Sequence, residues 1–167
     1  MKPISEQHLE KNTLTLEMNL GEVQRYVVEA IHKVPHARGM NNHMGSAMTS
    51  NLTAMLNVMR VLSNYSLYFL DSVTIQNTTV PQAAGAFAIP TLSRNVFLDS
   101  IPTVRTGEDA RKQLDQAILL AQKNGSAIVI GHPYPYTIQM LQKALYELPA
   151  DIELVAVRSL LNTTTTK

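Results

Sequence analysis

The stretch "SAIVIGHP" (residues 126–133) decides the class of fold, because of what stands on either side of it. Its five apolar or small residues after Ser126 form a short β-branched run, the composition of a strand buried on both faces. Upstream, residues 107–124 carry Ala110, Leu114, Ala117, Ile118 and Ala121 at helical spacing, Glu108 and Asp109 favour the helix start, and Gly125 stops it. Downstream, Ile138, Leu141, Leu145 and Leu148 predict another helix with an apolar stripe. Helix, buried strand, helix is the signature of a parallel sheet, whose strands need crossover connections.

Working outward, the same alternation recurs. Val23, Val27, Ile31 and Val34 predict a helix over residues 21–34, closed by Pro35. A second is expected to start at Thr49 or Ser50 and to bury Leu52, Met55, Leu56, Met59 and Leu62, its methionines filling core space. "SLYFLDS" (66–72) and "NVFLDS" (95–100) read as strands ending on Asp71 and Asp99, and "SAIVIGHP" ends on His132. "TVPQAAGAFAIP" (79–90) predicts a short helix, and "IELVAVRS" (152–159) a last strand. The class expected is α/β with a mostly parallel sheet, in one domain over residues 1–161 followed by a frayed polar tail at 162–167.

Composition excludes several partners and chemistries. Fourteen basic and 13 acidic side chains nearly cancel, so no net field attracts nucleic acid or anionic lipid. With no cysteine, disulfides and thiolate chemistry are excluded, and any metal must be held by His, Asp, Glu or Asn. No apolar run reaches the roughly 20 residues of a membrane span. His-Glu-x-x-His, Gly-x-Ser-x-Gly and nucleotide-binding glycine loops are all missing.

Polar residues at strand ends are the candidates for chemistry, since loops after parallel strands gather on one rim. His43, Asp71, Asp99 and His132 occupy such positions. Two imidazoles and two carboxylates on a rim can bind a divalent ion or run acid and base chemistry. Singly, Asp71 and Asp99 also fit helix caps or turns, and His132 fits a backbone-bonded turn residue. Within "GMNNHMGSAMTS" (39–50), His43 is expected to be buried, as a metal ligand, a proton carrier or a structural residue. Its neighbours Asn41, Asn42 and Ser46 are costly to bury without a network or a ligand.

"GMNNHMGSAMTS", "LYFLDS", "SRNVFLDS" and "GSAIVIGHPYPYTIQML", in this order, resemble the divergent polysaccharide deacetylase family, a remote branch of the metal-dependent carbohydrate esterases. The resemblance runs over nearly the whole chain. It implies a distorted (β/α) barrel with its site at the carboxyl ends of the strands. It also implies a hydrolase that removes acetyl groups from an amino-sugar polymer of the bacterial envelope, using a divalent metal, often zinc. By motif, His43 corresponds to the metal ligand or its near neighbour, and His132 to the proton donor. Asp71 and Asp99 complete the catalytic set as orienting carboxylates. Asn41, Asn42, Ser46, Arg94 and Tyr134 are expected to bind the glycan, with Tyr136 beside Tyr134. Export to the periplasm follows by analogy only. Two departures stand out. The family's opening Asp-Asp strand and a second early strand are absent, so the domain is expected to be truncated at its N-terminus, with impaired metal affinity and little activity. "DSVT" (71–74) also places Val73 where relatives often carry arginine. The competing expectation is a non-catalytic glycan-binding protein that keeps the fold.

Overall fold

The structure, a computed structural model, describes residues 1–6, 8–100 and 106–161. The expected tail at 162–167 lies outside the described residues. The fold is α/β, and among the described residues every strand pairing is parallel. Contacts divide the chain into two compact units, Met1–Ser93 and Arg94–Lys167.

In the first unit, helix α1 (Leu20–Lys33) precedes strand β1 (Gly39–Asn41), helices α2 (Ser46–Thr49) and α3 (Leu52–Leu62), strand β2 (Tyr68–Asp71), helix α4 (Val80–Gly85) and strand β3 (Thr91–Ser93). The sheet order is β1-β2-β3, so each pair is bridged by helix, as parallel neighbours require. Asn19 starts α1 with a capping box, its side chain accepting from the Glu22 amide while Glu22 accepts from the Asn19 amide. Val23 and Val27 of α1, Met48 of α2 and Met55, Val58, Met59 and Leu62 of α3 are buried with Phe69 and Val80. The methionines are thus core residues, each stabilising by about 1.5–3 kcal/mol through burial. The helix expected from Thr49 or Ser50 is α3, with Met55, Met59 and Leu62 buried as predicted. Asn51, in extended conformation, caps it by accepting from the Ala54 amide, one or two residues later than expected, and the short helix α2 precedes it.

In the second unit, strand β4 (Val96–Phe97), helix α5 (Gly107–Asn124), strand β5 (Val129–Ile130) and helix α6 (Pro135–Ala144) follow. Helix α5 keeps the predicted limits, and Gly125 ends it at φ 85°, a conformation glycine adopts without strain. Its Ala110 and Leu114 pack with Leu98 and with Met140 and Ala144 of α6. Helix α6 differs from expectation: its buried residues are Thr137, Met140 and Ala144, whereas Ile138 and Leu145 are exposed.

The expected strand at 152–159 does not form. Residues 152–156 make no ladder, Val157–Leu161 is a 3-10 turn, and Leu154 and Val155 are exposed. An alternating apolar pattern becomes a strand only against a neighbour, and among the described residues β5 pairs with β4 alone.

Candidate functional site

The second unit builds a histidine and carboxylate pair from strand register. Val96 faces Val129 and Phe97 faces Ile130, which carries Asp99 level with His132 two residues past each strand. Asn95 sets the register, accepting from the Ile128 amide through its side chain at 2.7 Å while its own amide donates to the Ile128 carbonyl at 2.8 Å. Asp99 is buried, 1% exposed, yet its carboxylate is well supplied with donors. Oδ2 accepts from the His132 amide at 2.6 Å and from the Thr137 hydroxyl at 2.9 Å. Oδ1 lies 2.9 Å from Nδ1 of His132, whose side chain is one-third exposed. A carboxylate only accepts, so Nδ1 carries the proton and proton exchange with a substrate falls to Nε2.

Planar groups run in a row along this pair. Phe97 stacks on the His132 ring at 5.3 Å, His132 meets Tyr134 at 5.3 Å, and Tyr134 stacks on Tyr136 at 5.5 Å. The Arg94 guanidinium lies 5.0 Å from the centre of the Phe97 ring, a cation–π contact. Desolvation, followed by the charge of Asp99 and the neighbouring Tyr134, raises the Tyr136 phenol above its ordinary value. Beside His132 opens an apolar cavity of about 460 Å³ lined by Leu98, Val129, Ile138, Leu141 and Leu154.

The first unit arranges the other candidates on the loops after β1 and β2. Asn42 is buried and is the hub: its Oδ1 accepts from the Ser72 amide at 2.8 Å, its carbonyl from the Ser72 hydroxyl at 2.6 Å, and its Nδ2 donates to the Met44 carbonyl. Asn41 donates to the same Ser72 hydroxyl at 3.3 Å. The Ser46 hydroxyl accepts from the Ile4 amide. His43 is exposed, which corrects the expectation of a buried imidazole; the buried side chain is its neighbour Asn42. Asp71 is fully buried and ties its own loop, accepting from the Val73 amide and from the Thr78 hydroxyl, both at 2.8 Å. That is the turn-forming use open to any Asp after a strand. The same loops hold Met44 at φ 53° and Val73 at φ 48°. For a β-branched side chain this left-handed conformation costs about 1–3 kcal/mol, and such strain concentrates near functional sites.

The structure therefore joins Asp99 to His132, and Asn41 to Asn42 through Ser72. Sequence reading missed Thr137, Ser72 and Thr78, small hydroxyls whose roles show only through their partners. Among the described residues no three His, Asp or Glu side chains are grouped to hold a metal ion, so these residues do not by themselves fit one. No helix among them is long and apolar enough to cross a membrane.

The family model for divergent polysaccharide deacetylases matches residues 1–161. An uncharacterized protein, YibQ, of Escherichia coli (strain K12) is 51% identical over 97% of this chain and 50% of its own length. An uncharacterized protein of Haemophilus influenzae is 41% identical over 96% of this chain and 56% of its own. The chain thus spans about half the length of the curated relatives it matches. The crystal structure of the uncharacterized protein ATU2773 from Agrobacterium tumefaciens C58 superposes with a TM-score of 0.78 at 21% identity, over 95% of this chain and 65% of that one. That likeness is one of fold.

Proposed function

The chain belongs to the divergent polysaccharide deacetylase family, and from that premise we propose that it acts in hydrolytic removal of acetyl groups from an amino-sugar polymer of the bacterial envelope, with His132 as the proton donor. The observation that carries the reading is the buried Asp99 held to Nδ1 of His132 at 2.9 Å. Amide hydrolysis stalls unless the departing nitrogen receives a proton. An imidazole whose Nδ1–H is fixed by a carboxylate can deliver that proton from Nε2, a contribution of about 10²–10⁴-fold in rate. Asp99 orients the ring, as carboxylates do behind catalytic histidines. Tyr134 and Arg94, in the same row of planar groups, are the candidates for holding the glycan beside it.

In this reading the strands belong to a distorted (β/α) barrel and the protein is exported. The metal-dependent esterases supply a divalent ion, often zinc, as Lewis acid at the acetyl carbonyl. His43 is the candidate for one of its ligands, and a complete set would need donors beyond the described residues.

Acetate release by the full-length protein from acetylated chito-oligosaccharides and peptidoglycan fragments, with zinc present, tests the proposal. His132→Ala is expected to lower the rate at least ~10²-fold, and His43→Ala or chelation to abolish it. Glycan binding that survives both substitutions, with no acetate released by the wild type, would replace this reading with a glycan-binding protein.

A further inference from the structure

The two oxygens of Asp99 have different duties. Oδ1 faces the imidazole, whereas Oδ2 accepts from the His132 amide and from the hydroxyl of Thr137. Thr137 lies in the first turn of α6 and is 1% exposed, the one polar member of a buried face completed by Met140 and Ala144. A threonine hydroxyl in that turn ordinarily bonds nearby backbone or water. Here it donates to a carboxylate from the loop after β4.

We infer that Thr137 is the positioning residue of the proton-transfer pair: with the His132 amide it pins Oδ2, so that Oδ1 is presented to Nδ1 and sets which nitrogen of His132 is protonated. The inference rests on the reading of His132 as proton donor. Stacking alone cannot do this work. Phe97 and Tyr134 fix the plane of the ring, but a half-turn about the Cβ–Cγ bond keeps that plane while exchanging Nδ1 with Cδ2. The hydrogen bond to Oδ1 separates the two orientations, and it does so only while the carboxylate itself cannot rotate. Carboxylates rotate readily when one oxygen is weakly held. The amide at 2.6 Å supplies one anchor along the backbone, and the hydroxyl at 2.9 Å supplies the second from α6. Two anchors from different elements define the carboxylate plane.

The bland alternative makes Thr137 a tether that merely seats α6, and the test separates the two. Thr137→Val keeps the shape and removes the hydroxyl; Thr137→Ser keeps the hydroxyl and removes the methyl group. Heteronuclear NMR of the imidazole nitrogens in the full-length protein, with His132 assigned through His132→Gln, reads the tautomer without reference to activity. Wild type and Thr137→Ser are expected to show His132 protonated at Nδ1, and Thr137→Val a mixture of both tautomers. In acetate release, Thr137→Val is expected to lower kcat by about tenfold or more, with KM within about twofold and Thr137→Ser close to wild type. An unchanged tautomer in Thr137→Val overturns the inference. Should Thr137→Val fail to fold, Thr137→Ala takes its place; failure of both to fold while Thr137→Ser folds makes the hydroxyl structural and equally overturns it. A tautomer mixture in Thr137→Val together with no acetate release by the wild type would remove the functional reading and leave the positioning intact.

Discussion

Glycine at position 131 leaves the Asp99 carboxylate its room. A Cβ there would sit 3.3 Å from Oδ2 of Asp99 and 3.4 Å from the Leu98 side chain. Oδ2 is already held by two donors, one of them the amide of the next residue, so the carboxylate cannot retreat without loosening His132. Gly131→Ala is therefore expected to destabilise the protein by about 1 kcal/mol, at the mild end of overpacking, which a urea midpoint measures, and to lower acetate release. Stability lost with unchanged catalysis would show that the pair tolerates a displaced carboxylate. The meeting of Asp99 and His132 was legible because the loops after neighbouring parallel strands gather on one rim, although each residue alone also fitted a turn. Thr137 was not, since Ile138, Leu141, Leu145 and Leu148 offered a better apolar stripe than the face buried. His43 was misjudged for a related reason: of several adjacent polar side chains, sequence does not say which turns inward, and it is Asn42.

Elements act on the site through register. Strands β4 and β5 are two residues long, too short for side-chain pattern to lock their pairing, so the Asn95 bonds to Ile128 carry that duty. Asn95→Ala removes the side-chain acceptor and is expected to cost about 1 kcal/mol. Hydrogen exchange at the Ile128 amide should rise more than at the Leu98 amide, which keeps its bond to the Ile130 carbonyl. Equal acceleration of both amides would mean that the ladder opens as one unit and that Asn95 has no local role. The long helix α5 was readable to the residue because Glu108 and Asp109 mark its start and Gly125, in the left-handed turn, its end; the structure adds Thr106, which caps it by accepting from the Asp109 amide. Three-residue strands such as β1 and β3 carry no period to detect, and "IELVAVRS" shows the converse error, an apolar pattern with no ladder to join.

At the scale of the whole molecule, the α/β class was legible because crossover helices between parallel strands impose an alternation that composition cannot hide. Ligand sets are a different matter: they depend on side chains from distant strands meeting at bond length, which no spacing in one dimension fixes. The described residues group no three His, Asp or Glu side chains for a metal, and His43 contributes one imidazole at most. Zinc held by three or four protein ligands in a folded site commonly binds far more tightly than a single exposed imidazole can. Titration calorimetry of zinc into these 167 residues is therefore expected to give a dissociation constant weaker than about 1 μM, weakened further by His43→Ala. Binding of one zinc per chain at nanomolar strength would show a ligand set that these residues do not display. Loss of such binding in His43→Ala would place that histidine within the set, while its retention would assign the ion to other ligands.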